Sequence, residues 1–300
     1  GMTSNPMAYD LTPAQAQREM GLRESFSHQE ITSPLATSRA AWFVQNRDGP
    51  RNLVFLHLFD PHYDYRAPPR MARPFLDVRY SGSVVGDAVM EQVAEGTIGP
   101  DMSPADLAQL KGLYDADIAF TDSHLATVIA TIEAEDLLGR VIVVVVSDHG
   151  EEFFEDGRFG HRMSLRDEVL RVPMLFWGPG IIPEGVTVDD EVALYDVLPT
   201  LMDYAGIPPD DDIWGRSLRP LMEGRGLPAR PSTARLHYVR RDARDHFMRH
   251  DALILEGMKV VRRVRVPWSP EQDRDMAAEP DWSTVEYDVY DLAADPGETN

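Results

Sequence analysis

The sequence predicts an α/β fold, a mainly parallel sheet sandwiched by helices, with a small antiparallel sheet at its C-terminal end. Val141–Val146 is an unbroken run of β-branched residues, and Leu53–Phe59 is a second, largely apolar run. Runs without a polar face are typical of strands that are buried on both sides in a sheet covered by helices. After about residue 236 short strand-like segments replace the alternation of strands and helices, which predicts the antiparallel sheet.

One helix is predicted between these two apolar runs, and another before the first of them. Ser103-Pro104-Ala105-Asp106 combines an N-cap residue, a proline at the first helical position and an acid at the third. An apolar stripe from Leu107 to Ile132 then continues at three- and four-residue spacing. Ile31–Val44 is predicted to form the earlier helix, because it starts with a Ser-Pro pair and carries its own apolar stripe.

The C-terminal third predicts a different architecture. Val172–Trp177 indicates one more strand of the main sheet, and Leu194–Ala205 a helix. Glu256-Gly257 is predicted to be a hairpin turn. We therefore expect two domains, an α/β core over 1–235 and an antiparallel subdomain over 236–300 that packs on it. The short strands of the subdomain are predicted at 236–239, 251–255, 258–264 and 285–290.

Composition limits the classes of partner. The chain has 300 residues, 43% of them apolar, and a formal net charge of −21. Such a surface repels nucleic acid and anionic membranes, so neither is expected as a partner. The chain has no cysteine, which excludes disulfides, zinc–thiolate sites and a cysteine nucleophile within these residues. No apolar run reaches the length of a membrane-spanning helix, and no signal peptide is recognised.

Asp148 and His149 are the leading candidates for a metal site. They directly follow the run Val141–Val146, and the chemistry of open α/β sheets lies at the carboxyl ends of strands. A carboxylate and a neutral imidazole suit calcium, magnesium, manganese or zinc without selecting among them. The alternative is a capped strand end with an incidental histidine. Gly150 favours the functional interpretation, because a glycine lets the backbone turn sharply.

Two further histidines are candidates, and several acids are not. His62 follows the second apolar run in the same way; its alternative role is a loop histidine packed on a neighbouring tyrosine. His161, considered alone, resembles a surface histidine. For Asp60, which precedes a proline, we favour a turn. Ser147 is expected to make a structural hydrogen bond rather than to act as a nucleophile. The acids of the long helix, Asp115, Asp117 and Asp122, are expected on its solvated face or in helix–loop hydrogen bonds.

Several short stretches, in order along the chain, together resemble the sulfatase family within the alkaline phosphatase superfamily. The resemblance runs from about residue 30 to residue 300 and is far more specific than any one motif. It implies an alkaline-phosphatase-like fold. The stretches are Phe55–Tyr63, Tyr114–Asp122, Val145–Glu152, Gly160-His161, Glu168–Pro173, Gly178–Gly180, Asp196–Leu201, Ala205-Gly206 and Tyr290–Glu298.

The resemblance implies a hydrolase that acts on sulfate or phosphate esters of small molecules or glycans. A divalent metal, with calcium favoured, would withdraw charge from the ester while a hydroxyl attacks it. Asp148 and His149 match the family's metal-ligand pair. His62 and His161 match positions that contact the ester oxygens and assist the leaving group, although in two-metal relatives a histidine near His161 is itself a ligand.

The sequence departs from the family at its beginning. The family's first strand, with further metal carboxylates, and the helix with its nucleophile have no counterpart here, so the core is expected to be incomplete at its N-terminus. Gly1-Met2 and the abrupt end at Asn300 also suggest a piece of a longer protein. Three hypotheses for the function remain. They are a sulfuric ester hydrolase, a phosphoric ester hydrolase or phosphotransferase of the same superfamily, and a non-catalytic binding remnant. Relatives are often periplasmic, secreted or membrane-anchored.

Overall fold

The computed structural model describes residues 31–49, 51–238, 246–267 and 279–299. These residues fall into two compact units that divide between Leu137 and Leu138. No helix in these ranges combines the length and the apolar character needed to cross a membrane. The predicted domain boundary between residues 235 and 236 stays a prediction.

The first unit is helical in its described part. Its longest helix, α4, packs against α1 and α2. The α-helices are α1 (Ser33–Gln45), α2 (Pro69–Ala72), α3 (Val89–Glu95) and α4 (Pro104–Ala134), with 3₁₀ turns at Arg73–Phe75 and Gly86–Ala88.

Helix α4 starts as the sequence predicts. The side chain of Ser103 accepts a hydrogen bond of 3.1 Å from the backbone N–H of Asp106, and Pro104 is the first helical residue. The apolar stripe is only partly buried, since Ile118 is 43% exposed. The predicted helix over Ile31–Val44 is also confirmed, as α1. The apolar side chains that α4 buries are those of Leu110, Ala116, Phe120, Val128 and Ile132.

The prediction of a buried strand over Leu53–Phe59 is wrong. These residues form no strand, and Leu53 and Phe55 are 78% and 76% exposed. A strand needs a neighbour to receive its backbone hydrogen bonds, and no segment in the described part of the chain pairs with this one. An apolar run specifies where a strand can form, not whether a partner lies beside it.

The second unit contains all the described strands. The described strand pairs are all antiparallel, β1 with β4, β2 with β3, and β5 to β8 in sequence order, so the expected parallel pairing is not found among these strands. The strands are β1 (Val143–Val146), β2 (Glu152–Phe153), β3 (Phe159–Gly160), β4 (Met174–Trp177), β5 (Ser232–Tyr238), β6 (His246–Leu255), β7 (Met258–Pro267) and β8 (Asp281–Asp291). The helices are α5 (Asp167–Leu170), α6 (Val197–Tyr204) and α7 (Arg219–Met222), with a 3₁₀ turn at Leu194–Asp196.

Within the run Val141–Val146, the last four residues form strand β1, but this strand is not buried on both faces. Among the described strands β1 pairs with β4 alone, and Val146 and Leu175 are 42% and 58% exposed. Burial on both faces requires layers above and below the strand. The uniform apolar pattern therefore overstates how far this strand is covered within the described residues.

The C-terminal antiparallel sheet is confirmed. It begins at Ser232, slightly before the predicted position, and its four strands are longer than expected. Glu256 and Gly257 join β6 to β7 with φ angles of 52° and 79°. Two adjacent positive φ angles fit the type I′ turn of a tight hairpin. One face of the sheet packs through Ala252 and Val261 onto Leu165.

Candidate active site

The end of β1 presents a carboxylate and an imidazole side by side. Asp148 Oδ2 lies 3.7 Å from His149 Nε2, and the Asp148 side chain is 81% exposed. His149 Nδ1 donates to the carbonyl oxygen of Gly150 at 2.9 Å. This contact places the proton of the neutral ring on Nδ1, so Nε2, the atom nearer Asp148, carries the lone pair that can bind a metal.

The backbone around this pair is held from two sides. Ser147 Oγ donates to the carbonyl oxygen of His149 at 2.6 Å, which confirms the predicted hydrogen-bonding role. The N–H of Gly150 donates to the carbonyl oxygen of Val169 in α5 at 2.8 Å. A Cβ at Gly150 would clash with the carbonyl oxygen of Glu168. The absence of a side chain at Gly150 therefore lets its backbone lie close to the backbone of Glu168 and Val169. The sequence had suggested a sharp turn instead.

The short β2–β3 hairpin brings His161 to the same place. Its ring stacks on that of His149, with centroids 3.8 Å apart and planes 24° apart. His161 Nδ1 donates to Glu151 Oε1 at 2.9 Å, and the two side chains are 12% and 4% exposed. A buried carboxylate at this distance fixes the orientation of the ring. His161 is thus not the surface histidine that its immediate neighbours suggest.

Glu151 is a site residue that sequence reasoning did not assign. It stands within the Val145–Glu152 stretch, but nothing in its spacing links it to His161. The link arises because β2 pairs with β3, with Glu152 opposite Gly160. The only sequence signal available was an acid placed between two candidate histidines.

His62 lies in the first unit, whereas Asp148, His149 and His161 lie in the second. Its ring stacks on Phe59 with centroids 4.7 Å apart, and its Nδ1 donates to the carbonyl oxygen of Tyr63 at 2.6 Å. The predicted packing on a neighbouring tyrosine is present, since the His62 and Tyr63 ring centroids are 4.1 Å apart. His62 also lines a small surface cleft. The cleft is lined by Ile31, Phe59, Asp60, His62, Asp64, Arg66, Asp117 and Phe120.

Asp60 does more than start a turn. Its carboxylate accepts hydrogen bonds from the backbone N–H groups of Thr32 and Ser33, at 2.7 and 2.6 Å, and from the hydroxyl of Ser33. These N–H groups belong to the first turn of α1, which has no partner for them within the helix. Asp60 therefore anchors the start of α1 and is occupied by that role.

Of the two placements expected for Asp117, a solvated helix face or a helix–loop hydrogen bond, the structure shows the second. Asp117 is 1% exposed and accepts the backbone N–H of Arg66 with both carboxylate oxygens, at 3.1 and 2.9 Å. Burial raises its pKa to about 7, against the opposing effect of the Arg66 and Ala67 N–H groups. The helical spacing in the sequence is consistent with a buried Asp117. Asp117 follows Leu110 by two helical turns and so belongs to the buried stripe.

Asp117 makes the stability of the protein depend on pH. Its folded-state pKa exceeds the ordinary value of 3.8. Between about pH 4 and pH 7 the unfolded chain therefore loses this proton while the folded chain keeps it. The free energy of unfolding falls over this window, by about 4 kcal/mol in all.

We expect the Asp117→Asn variant to lack this pH-dependent loss, as measured by urea unfolding from pH 4 to pH 7. Asp115→Asn, a substitution at an exposed residue of the same helix, is the matched control and should follow the wild type. Parallel pH profiles for wild type and Asp117→Asn would contradict the assignment.

The described residues supply two candidate metal ligands rather than a complete set. Among them no group of three or more His, Cys, Asp or Glu side chains is placed to hold a metal ion. Two atoms bound to one ion at about 2.0–2.6 Å each lie roughly 3–4 Å apart. The 3.7 Å between Asp148 Oδ2 and His149 Nε2 falls in this range, so the pair fits two positions of one ion.

Comparison with known proteins gives the family. A family model described as Sulfatase matches residues 9–207, more than half of the chain. The chain belongs to the sulfatase family. A second model, described as N-sulphoglucosamine sulphohydrolase, C-terminal, matches residues 150–271, which include Glu151 and His161 and three of the four strands of the C-terminal sheet, but not Asp148 or His149. The resemblance stated from the sequence motifs is thereby confirmed.

The curated relatives match over a limited segment. Arylsulfatase K of Homo sapiens is 39% identical over 116 residues, which cover 39% of this chain and 21% of that protein. Arylsulfatase K of Danio rerio is 34% identical over 117 residues, which cover 39% of this chain and 22% of that protein. The match thus spans about a fifth of the length of these relatives.

Solved structures confirm the alkaline-phosphatase-like α/β fold class. The phosphonate monoester hydrolase of Agrobacterium radiobacter matches with a TM-score of 0.64 and 19% identity, over 93% of this chain and 57% of that chain. BT4656, solved in complex with its substrate D-glucosamine-2-N,6-O-disulfate, matches with a TM-score of 0.56 and 21% identity, over 90% and 64%. At these identities the likeness concerns the fold.

Proposed function

We propose that this chain forms part of a metal-dependent sulfuric ester hydrolase, whose substrate is a sulfate ester of a small molecule or a glycan. The observation that supports it most directly is the stacked pair His149–His161, beside Asp148 and with Glu151 bonded to His161. A metal ligand and a candidate proton donor are in contact there, which is what cleavage of an ester anion requires. Membership of the sulfatase family and the structural likeness to BT4656 favour sulfate.

Asp148 and His149 would hold the metal, with Ca²⁺ favoured over Mg²⁺, Mn²⁺ or Zn²⁺ by the family resemblance. When bound, the ion supplies positive charge that draws electron density from the ester oxygens. This is needed in a chain whose net charge of −21 otherwise repels an anionic substrate. That the attacking hydroxyl lies outside these 300 residues stays a prediction.

His161 is proposed to assist the leaving group. Glu151 occupies Nδ1, so Nε2 is the ring atom through which a proton would pass to the departing alcohol oxygen. The carboxylate of Glu151 would hold the imidazole in the orientation that this transfer needs. His62 is proposed to contact the ester oxygens, also through Nε2, since Tyr63 occupies its Nδ1.

The test is a comparison of substrates on the protein with its complete natural reading frame. An aryl sulfate, a phosphate monoester and a phosphodiester are compared by kcat/KM, and we expect the sulfate to be preferred. A preference for a phosphorus ester would instead support the second candidate, which the likeness to phosphonate monoester hydrolases favours. A folded, metal-loaded protein that turns over none of the three would contradict both, and would support a non-catalytic binding role.

His161→Ala is expected to lower kcat about 10²–10⁴-fold, the usual contribution of a positioned general acid. The loss should be greatest for an alkyl sulfate, whose leaving group needs a proton, and smallest for a nitrophenyl sulfate, whose leaving group does not. Steady-state kinetics with both esters measures this difference. An equal loss with the two leaving groups would show that His161 does not act as the acid.

A further inference from the structure

The outer face of the C-terminal sheet carries a row of side chains that the proposed reaction does not use. Ala252 of β6 is 3% exposed and packs on the core, so its neighbour Asp251 faces the opposite way. Across the strands Arg235 pairs with Asp251, Asp251 with Arg262, and Arg262 with Tyr287. The row therefore crosses all four strands, and at a strand spacing of about 4.8 Å it is about 14 Å long.

Three arginines of this face share one carboxylate. Arg235 Nε, Arg249 Nε and Arg262 Nη2 lie 2.5, 3.0 and 2.8 Å from oxygens of Asp251. Burial opposes the ionisation of Asp251, but the hydrogen bonds from Arg262, Arg235 and Arg249 outweigh it and lower its pKa to about 2. Within this described cluster, three guanidinium groups against one carboxylate give an excess of two positive charges.

The positive potential also reaches a neighbouring histidine. His237 pairs with Arg249 across β5 and β6. Its pKa is lowered, first by burial and then by the charges of Arg235 and Arg249. In a chain whose net charge is −21, such a local excess of positive charge favours an anionic ligand at this place.

Two exposed aromatic side chains flank the arginines. Trp282 is 49% exposed, and its ring centre lies 5.0 Å from Arg262 Cζ. Tyr287, the cross-strand partner of Arg262, is 60% exposed. Exposed aromatic faces offer the C–H-rich face of a sugar ring a stacking surface. Each guanidinium also has five N–H donors, more than its bonds to Asp251 use. Those that remain suit the several acceptor oxygens of a sulfate group.

We propose that Arg235, Arg249, Arg262, Trp282 and Tyr287 form a binding surface for a sulfated oligosaccharide. The choice of a sulfated sugar rests on the proposed function, and the length of the row matches a short oligosaccharide rather than one sugar. The surface consists of residues other than Asp148, His149 and His161. It would hold a substrate or product chain without taking part in the reaction.

The test is direct binding by isothermal titration calorimetry, at several salt concentrations, with a heparin octasaccharide. Its desulfated counterpart and a single-stranded RNA of similar charge are the comparison ligands. We expect the sulfated octasaccharide to bind at least tenfold more tightly than either. Arg235→Gln/Arg262→Gln should weaken its binding at least tenfold and reduce the salt dependence. Trp282→Ala should weaken binding without changing the salt dependence, because it removes stacking rather than charge.

The controls separate this surface from general charge and from folding. Asp251 keeps Arg249 as its partner in the double variant, and thermal unfolding checks that the fold is retained. Arg225→Gln/Arg219→Gln removes the same charge from another site of the second unit and should leave affinity unchanged. Undetectable binding of the octasaccharide, equal binding of RNA, or no effect of the Arg235/Arg262 double variant would each overturn the inference.

The outcome is also separable from that of the proposed function. Turnover of a small aryl sulfate with no arginine-dependent binding of the octasaccharide would contradict the binding surface but not the hydrolase proposal. Arginine-dependent binding without turnover of any ester would support the binding surface and contradict the hydrolase proposal.

Discussion

Replacing Lys259 with methionine is expected to lower the free energy of unfolding by about 3–5 kcal/mol, the usual effect of removing one partner from a buried ion pair. The Lys259 side chain is fully buried, with Nζ 3.0 Å from Asp167 Oδ1 and 2.6 Å from Glu298 Oε1. Methionine fills a similar volume but carries no charge, so Asp167 and Glu298 would lose the cation that both contact.

The same cluster joins the end of the chain to α5. The backbone N–H of Asp167 donates to Glu298 Oε1 at 3.0 Å, and Arg166 donates to the carbonyl oxygens of Gly297 and Glu298. Burial raises the pKa of Glu298, and Lys259 opposes this rise. Without Lys259 the ionised Glu298 becomes costly to bury, and the last residues are expected to detach from α5.

Urea unfolding at neutral pH measures this effect. Lys259→Met/Glu298→Gln should recover much of the loss, because the remaining carboxylate of Asp167 is partly exposed and can be hydrated. Arg225→Met breaks an exposed ion pair with Glu223 and should change stability by less than about 1 kcal/mol. A Lys259→Met protein as stable as the wild type would show that the cluster does not hold the C-terminal segment in place.

Asp148→Ala/His149→Ala is expected to abolish metal binding and to lower kcat/KM about a thousandfold or more. Loss of the ion removes several kcal/mol of charge stabilisation from the transition state, and each 1.36 kcal/mol is a factor of ten in rate. The two changes together remove the 3.7 Å pair and the surface on which His161 stacks. Calorimetric titration with Ca²⁺ and turnover of an aryl sulfate, both on the full reading frame, measure the two effects.

His124→Ala is the matched control, because it removes a histidine that lies on α4 and contacts Phe120. It should leave metal affinity and turnover within about twofold of the wild type. If the Asp148/His149 double variant still binds the metal and turns over the ester, the assignment of these two residues as ligands is refuted.

The sequence alone determined the features that depend on residues close together in the chain. The start of α4 at Ser103-Pro104 and the hairpin at Glu256-Gly257 follow from caps and turn residues a few positions apart. The adjacency of Asp148 and His149 is covalent, and so was visible from the start. The family resemblance rests on several such short motifs in a fixed order, and the comparisons confirm it.

Only the tertiary structure decided which distant residues meet. Because β2 pairs with β3, His161 stacks on His149 and donates a hydrogen bond to Glu151. No local sequence pattern predicts these contacts. Leu53–Phe59 has the composition of a strand but finds no partner among the described residues. Lys259 and Glu298, typical surface residues by type, are buried because each has the other's charge beside it. Local propensity acts over about one helical turn or one hairpin, whereas burial and pairing depend on the path of the whole chain.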